Sequence, residues 1–102
     1  MDIMREFSDN GKTLKLFLTG DLTFEKNLNF TNSYLDAPAG IDKVVVDFRK
    51  VKYMDSSALG LLLLMKNYCQ ERGVTEFHLV NCNEAITGIL QVSEFNQIFS
   101  IS

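Results

Sequence analysis

The stretch VVVDFRKVKYMDSSALGLLLLMKNYCQERG, residues 44–73, decides the fold. It begins inside KVVVDF, a β-branched and almost continuously apolar run that reads as a central strand covered on both faces. It then passes through Asp55, Ser56 and Ser57 into a leucine-rich helix that ends at Arg72, with Gly73 as its C-terminal stop. Two bare hydroxyls therefore stand where a strand hands over to a helix. They can be a helix cap, a nucleophile, or the acceptor of a group transferred from elsewhere.

Upstream, Asp9-Asn10-Gly11 is a hairpin-turn signal, because Asn-Gly accepts the positive φ of a tight turn. After it, TLKLFLTG alternates: Leu14, Leu16 and Leu18 fall on one face, Lys15, Phe17 and Thr19 on the other, which is a strand. IMREFS before the turn is a weaker strand and its antiparallel partner. Thr23 is placed to cap a helix over 24–35 with Phe24, Leu28, Thr31 and Leu35 along its packed side. The asparagines in it are poor helix formers, so packing must hold it. APAG at 37–40 stops it. Downstream, TEFHLVN reads as a strand, EAITGILQV as a short helix and QIFSI as a last strand. The order β-β-α-β-α-β-α-β predicts an α/β domain with a mixed sheet, residues 1–102 forming one domain.

Composition narrows the function classes. Ten basic and thirteen acidic residues give a net charge of −3, without the clustered Lys and Arg of a nucleic-acid footprint. The N-terminal MDIMREFSDNG lacks the apolar core of a signal peptide, and LLLLM is far short of the roughly 18 residues that span a bilayer. No nucleic acid and no membrane are expected, and the location expected is cytoplasmic. Cys69 and Cys82 form no CxxC pair and have no His at ligand spacing, so they read as reduced, half-buried side chains and no metal site is expected.

Advancing about 100° per residue from Ser56 groups Ala58, Leu61, Leu62, Met65, Tyr68 and Cys69 on one face of the leucine helix. Lys66, Asn67, Gln70 and Glu71 mark the opposite face. Leu59, Gly60 and Leu63 fall on that polar side, and Leu59 and Leu63, four apart, make an apolar ridge near the helix start. The ridge is either covered by another element or left open to a partner. Gly60 favours the partner, since a mid-helix glycine costs about 1 kcal/mol relative to Ala.

Catalysis by Ser56 lacks its surroundings. No G-x-S-x-G elbow is present, and His78, the sole histidine, reads as a strand residue. Capping by Ser56 or Ser57 fits the junction, although Leu59 and Gly60 stand where a capping box would place Glu or Gln. One serine suffices for a cap, which leaves the other and Asp55 unexplained. A phosphoacceptor also fits, because a helix N-terminus tolerates phosphate. Asp47, after VVVDF, could be the aspartyl-phosphate site of a receiver domain, but the acidic pair and the late lysine of that fold are missing. It reads instead as a strand-end acid satisfied by nearby backbone.

The 44–73 stretch resembles the signature of STAS domains, in particular the single-domain bacterial anti-sigma factor antagonists, whose pattern is an apolar strand followed by D-S-[ST]-G-L-G opening a leucine-rich helix. LFLTGDLTFEKN resembles their second strand and its G-E/D-L segment, and FHLVNCNEAITGILQVSEFNQIFSI their closing strand-helix-strand. The resemblance implies a STAS fold, with a four- to five-stranded mixed sheet and three to four helices. It implies that Ser56 is the phosphorylated serine, that Asp55 positions the site, and that Gly20, Asp21 and Leu22 line the same surface as Ser57, Ala58, Leu59, Gly60 and Leu63. It further implies a non-enzymatic regulator with no cofactor of its own. The unphosphorylated form would bind an anti-sigma factor that is also a serine kinase of histidine-kinase-like ATPase fold. ATP and Mg²⁺ would belong to that kinase, and a metal-dependent serine phosphatase would reverse the reaction. Ala58 departs from the family's usual Gly, and its methyl is expected to narrow the partner's backbone approach. The other STAS branch, subunits of membrane lipid-transport complexes, commonly reads D-S-A-G-L; there the serines would only cap a constitutive interaction subunit.

Overall fold

Asp9, Asn10 and Gly11 all take positive φ, 55°, 59° and 82°. In the computed structural model, which describes residues 2–102, this turn folds strand β1 (Asp2–Ser8) antiparallel onto β2 (Thr13–Thr19). Three β-strand–helix units follow: α1 (Asn27–Leu35) leads to β3 (Lys43–Lys50), α2 (Ser56–Gln70) to β4 (Glu76–Val80), and α3 (Glu84–Val92) to β5 (Ser100–Ile101). The sheet order is β1-β2-β3-β4-β5, parallel from β2 onward. The mixed α/β sheet read from the sequence is therefore the fold, with five strands and three α-helices among the described residues.

Strands added in one direction through right-handed crossovers receive all their helices on one face. Burial follows that rule. Leu14, Leu16 and Leu18 of β2, Val44, Val46 and Phe48 of β3, and Phe77 and Leu79 of β4 are buried toward the helices. On the other face Lys15, Phe17, Lys43, Val45, Asp47, His78 and Val80 are only half-buried. This corrects the expectation that β3 is covered on both sides: its continuous valine run serves one packed face and one partly open face.

The first helix is also turned differently from the expectation. A 3-10 turn at Phe24–Lys26 precedes α1, and the Thr23 side chain makes no capping hydrogen bond. Phe24 and Leu28 are 63% and 70% exposed, and Leu35 is exposed as well. The buried residues are Phe30, Ser33 and Tyr34. A 3-10 turn has three residues per turn rather than 3.6, so the stripe counted from Phe24 loses its phase before α1 begins. Aromatic packing selects the other face: Phe30 meets Tyr34 edge-on at 5.8 Å between centroids, and Tyr34 lies 5.7 Å from Tyr68 of α2.

The end of α2 follows the glycine signal, with the last helical residue two positions earlier than Arg72. Gly73, at φ 98°, lets its N–H reach the Gln70 carbonyl at 3.2 Å, while Val74 N–H bonds the Cys69 carbonyl at 3.1 Å. His78 sits in mid-β4, 3.2 Å from Glu76. Asp47 lies inside β3 rather than at its end, which corrects that part of its reading, and it is satisfied by the nearby Arg49 backbone N–H at 2.8 Å and by the Asn81 side chain at 3.0 Å.

Cys69 and Cys82 are free. Burial pushes both thiols up to about 11, with the Asp47 charge adding to the effect at Cys82 and the Arg72 charge opposing it at Cys69. A raised acid pKa keeps the neutral form in the folded state, so the unfolded chain releases its protons first as pH rises. Stability is accordingly undiminished below about pH 8.5 and falls between there and pH 11. The loss is up to about 3 kcal/mol for buried Cys69 and less for half-exposed Cys82. Urea denaturation at pH 8, 9.5 and 11 should show this decline, and Cys69→Ala should flatten it.

Candidate functional site

The β3 exit and the β2 exit are laced together beside α2. Gly20 N–H bonds the Lys50 carbonyl at 3.3 Å, Leu22 N–H the Tyr53 carbonyl at 3.1 Å, and Asp55 N–H the Leu22 carbonyl at 3.3 Å. Leu22 and Met54 form an isolated parallel bridge, and both side chains are fully buried. These bonds hold Asp55 extended, φ −97° and ψ 179°, so it becomes the last residue before the helix rather than the first within it.

Asp55 is therefore the N-cap. Its Oδ1 accepts from Ser57 N–H at 3.0 Å, from Ala58 N–H at 3.2 Å and from the Ser57 hydroxyl at 2.5 Å. This overturns the expectation that Ser56 or Ser57 caps the helix: both are already helical, and the carboxylate one position earlier satisfies the free N–H groups. The two serines are thereby separated. Ser57 is half-buried with its proton directed at Asp55, whereas Ser56 is exposed and its Oγ makes no hydrogen bond among the described residues.

The surface around Ser56 differs in part from the one expected. Gly20 and Asp21 are exposed at the lip. Leu22 and Ala58 are fully buried, so neither side chain can touch a partner; they position the loop and the helix from beneath. The Ala58 methyl points into the core and does not narrow any approach at the surface, which corrects the reading of that departure. Leu59 is half-buried against the core, so only part of the ridge is open. Gly60 is exposed, and a Cβ there would meet nothing within 4 Å. Leu63 is 37% exposed and Leu64 61%. Leu64 was missed, although it lies only about 80° around the helix from Ser56 and could have been found on the same wheel. Exposed Tyr53 flanks the cap, and Phe24 stands on the 3-10 turn that packs beside α2. Leu63, Leu64 and Gly60 thus share one outward face of α2 with Ser56.

The family model described as Mlab, STAS domain, matches residues 6–100. The chain belongs to the STAS domain family. A STAS-domain-containing protein of Pseudomonas aeruginosa strain UCBPP-PA14 is 34% identical over 95 residues, 93% of each chain. Among solved structures, a Thermotoga maritima protein assigned as an anti-sigma factor antagonist superposes with a TM-score of 0.83 at 22% identity, covering 97% of this chain and 84% of that one. The phosphorylated form of the Bacillus cell fate determinant SpoIIAA gives 0.63 at 19% identity, covering 99% and 91%. A sulfate transporter family protein from Wolinella succinogenes gives 0.74 at 15%, covering 85% and 70%. At such identities the likeness is one of fold, and the STAS fold serves chains of different function.

The cap assignment makes a stability prediction that ranks three neighbours. Asp55→Ala should cost about 1–2 kcal/mol, the usual range for a lost N-cap. Ser56→Ala should stay within about 0.5 kcal/mol, since its hydroxyl holds nothing. Gly60→Ala should stabilise by up to about 1 kcal/mol, because the added methyl meets open space inside a helix. Urea denaturation of the three variants checks the order.

Proposed function

We propose that this STAS domain is a phosphorylation-controlled partner-switching regulator acting in the cytoplasm. Unphosphorylated, the Ser56 face of α2 binds an anti-sigma factor that is also a serine kinase, and so releases that factor's target. The kinase transfers the γ-phosphoryl group of its own Mg²⁺-bound ATP to Ser56 Oγ. The new O–P bond forms as the bond to ADP breaks, and the hydroxyl proton passes to a base of the kinase. A metal-dependent phosphatase restores the hydroxyl by hydrolysis. The regulator itself supplies a positioned acceptor and a docking surface.

The observation that carries this reading is the division of labour at the α2 entrance. Asp55 caps, Ser57 is held by Asp55, and Ser56 alone presents an unengaged hydroxyl beside exposed Gly60, Leu63 and Leu64. A phosphate at that position would lie next to a helix N-terminus and need not unfold the domain. It would add roughly −1.5 to −2 charges next to an apolar docking strip. One like-charge contact at about 4 Å costs about 4 kcal/mol at an effective dielectric near 20. That corresponds to about a thousandfold in affinity.

A second reading has its own support, since the matching family model carries the Mlab description. In it the chain is a constitutive subunit of a lipid-transport complex. Its original premise, serines that serve only as caps, is removed by the Asp55 geometry.

Two measurements separate the readings. Intact-mass analysis of protein purified from its own cells should reveal an adduct of about 80 Da, lost in Ser56→Ala and retained in Ser57→Ala. The cognate kinase should bind wild type and Ser56→Ala alike, and bind the phosphorylated protein at least a hundredfold more weakly. Equal affinity for all forms, with no adduct under any growth condition, would favour the constitutive subunit.

A further inference from the structure

At the end of the sheet remote from Ser56, the structure leaves a half-open cavity of about 250 Å³ between the C-terminal ends of α1 and α2 and the starts of β2 and β3. Its walls are apolar: Leu14 and Val44 from the strands, Tyr34 and Cys69 from the helices, Ile41 and Val74 from the segments leading into β3 and β4. The connection that roofs it is Ala37-Pro38-Ala39, three short side chains where one large apolar residue would have filled the space. Dry apolar cavities of roughly 150 Å³ already accept a benzene-sized molecule, so this one has room for a small ligand.

One charged side chain lines the cavity, Arg72. Its guanidinium stacks on the Tyr68 ring, 3.7 Å from the centroid, and donates to the Tyr68 carbonyl at 3.4 Å. The Tyr68 hydroxyl in turn donates to the Leu35 carbonyl at 2.9 Å, so the platform under the guanidinium is fixed at both ends. Among the described residues Arg72 has no carboxylate within ion-pair distance, and the nearby α1 terminus gives its acid, Asp36, to Arg5 at 2.7 Å. A stacked, pre-oriented guanidinium with free donors is the geometry that takes a carboxylate bidentately.

We infer that this cavity is a binding site for a small amphipathic carboxylate, with its apolar body between the α1–β3 connection and α2 and its anionic end on Arg72. The site is independent of the Ser56 surface. It occupies the opposite pole of the domain and uses none of the same residues.

The test is a ¹H–¹⁵N titration of the whole domain with hexanoate, octanoate, octanol and octylammonium. Octanoate is expected to shift the amides of Ala37, Ala39, Cys69 and Val74 while leaving Ser56–Gly60 in place. Binding should tighten roughly fourfold per added methylene between hexanoate and octanoate. Octanoate should bind at least tenfold tighter than octylammonium, and Arg72→Gln should erase that preference while retaining octanol binding. Ala39→Phe, checked for native folding by circular dichroism, should block all four compounds by filling the cavity. Absence of shifts at millimolar octanoate, shifts centred on Leu63 and Leu64 instead, or equal binding of octanoate and octylammonium would each overturn the inference.

Discussion

The carboxylate of Asp55 accepts three donors on one oxygen, and the identity of the site depends on that arrangement. Helix N-termini leave several N–H groups without intrahelical partners, and Asp55 answers two of them, those of Ser57 and Ala58. Because Asp55 N–H is tied to the Leu22 carbonyl, the strand-to-helix transition is fixed at Asp55 and cannot slide onto Ser56. Capping by the acid leaves the serines free of that duty, and the Ser57–Asp55 bond then removes one of them. A single hydroxyl stays available through backbone geometry set by two neighbouring strand exits.

The same lacing explains why fully buried residues matter to an exposed site. Leu22 and Met54 pack beneath the loop, and Ala58 anchors the first turn of α2 in the core. None of the three reaches a partner, yet each fixes where Asp21, Tyr53 and Ser56 stand. Gly60 shows the opposite economy. Nothing inside the domain requires its missing side chain, so its cost in helix propensity is left without an internal explanation and points outward.

Much of this was legible in the sequence because the signals were local. The alternation of Leu14, Leu16 and Leu18, the Asn10-Gly11 turn and the Gly73 stop each depend on a few adjacent residues and were realised as read, and the valine run of β3 was realised as a strand though not as one covered on both faces. The core face of α2 was legible too, since Leu61, Leu62, Met65 and Cys69 keep one phase over about two turns. What failed depended on geometry that no short window contains. The α1 stripe lost phase at a 3-10 turn, and Tyr68, more than thirty residues downstream, selected the face carrying Phe30 and Tyr34. The open face of β3 followed from crossover handedness. Asp55, Ser56 and Ser57 are all good capping residue types, and only the bond from Asp55 to Leu22 decides among them.

The most direct measurement compares alkylation of Ser56→Cys and Ser57→Cys, resolved by site with mass spectrometry at pH 7. Native Cys69 and Cys82 react slowly as internal references, because burial holds their thiols protonated. A free side chain at the start of α2 predicts rapid labelling at position 56, at least tenfold faster than at position 57, where Asp55 confines the group. Equal rates, or faster labelling at 57, would mean that Asp55 does not divide the two positions.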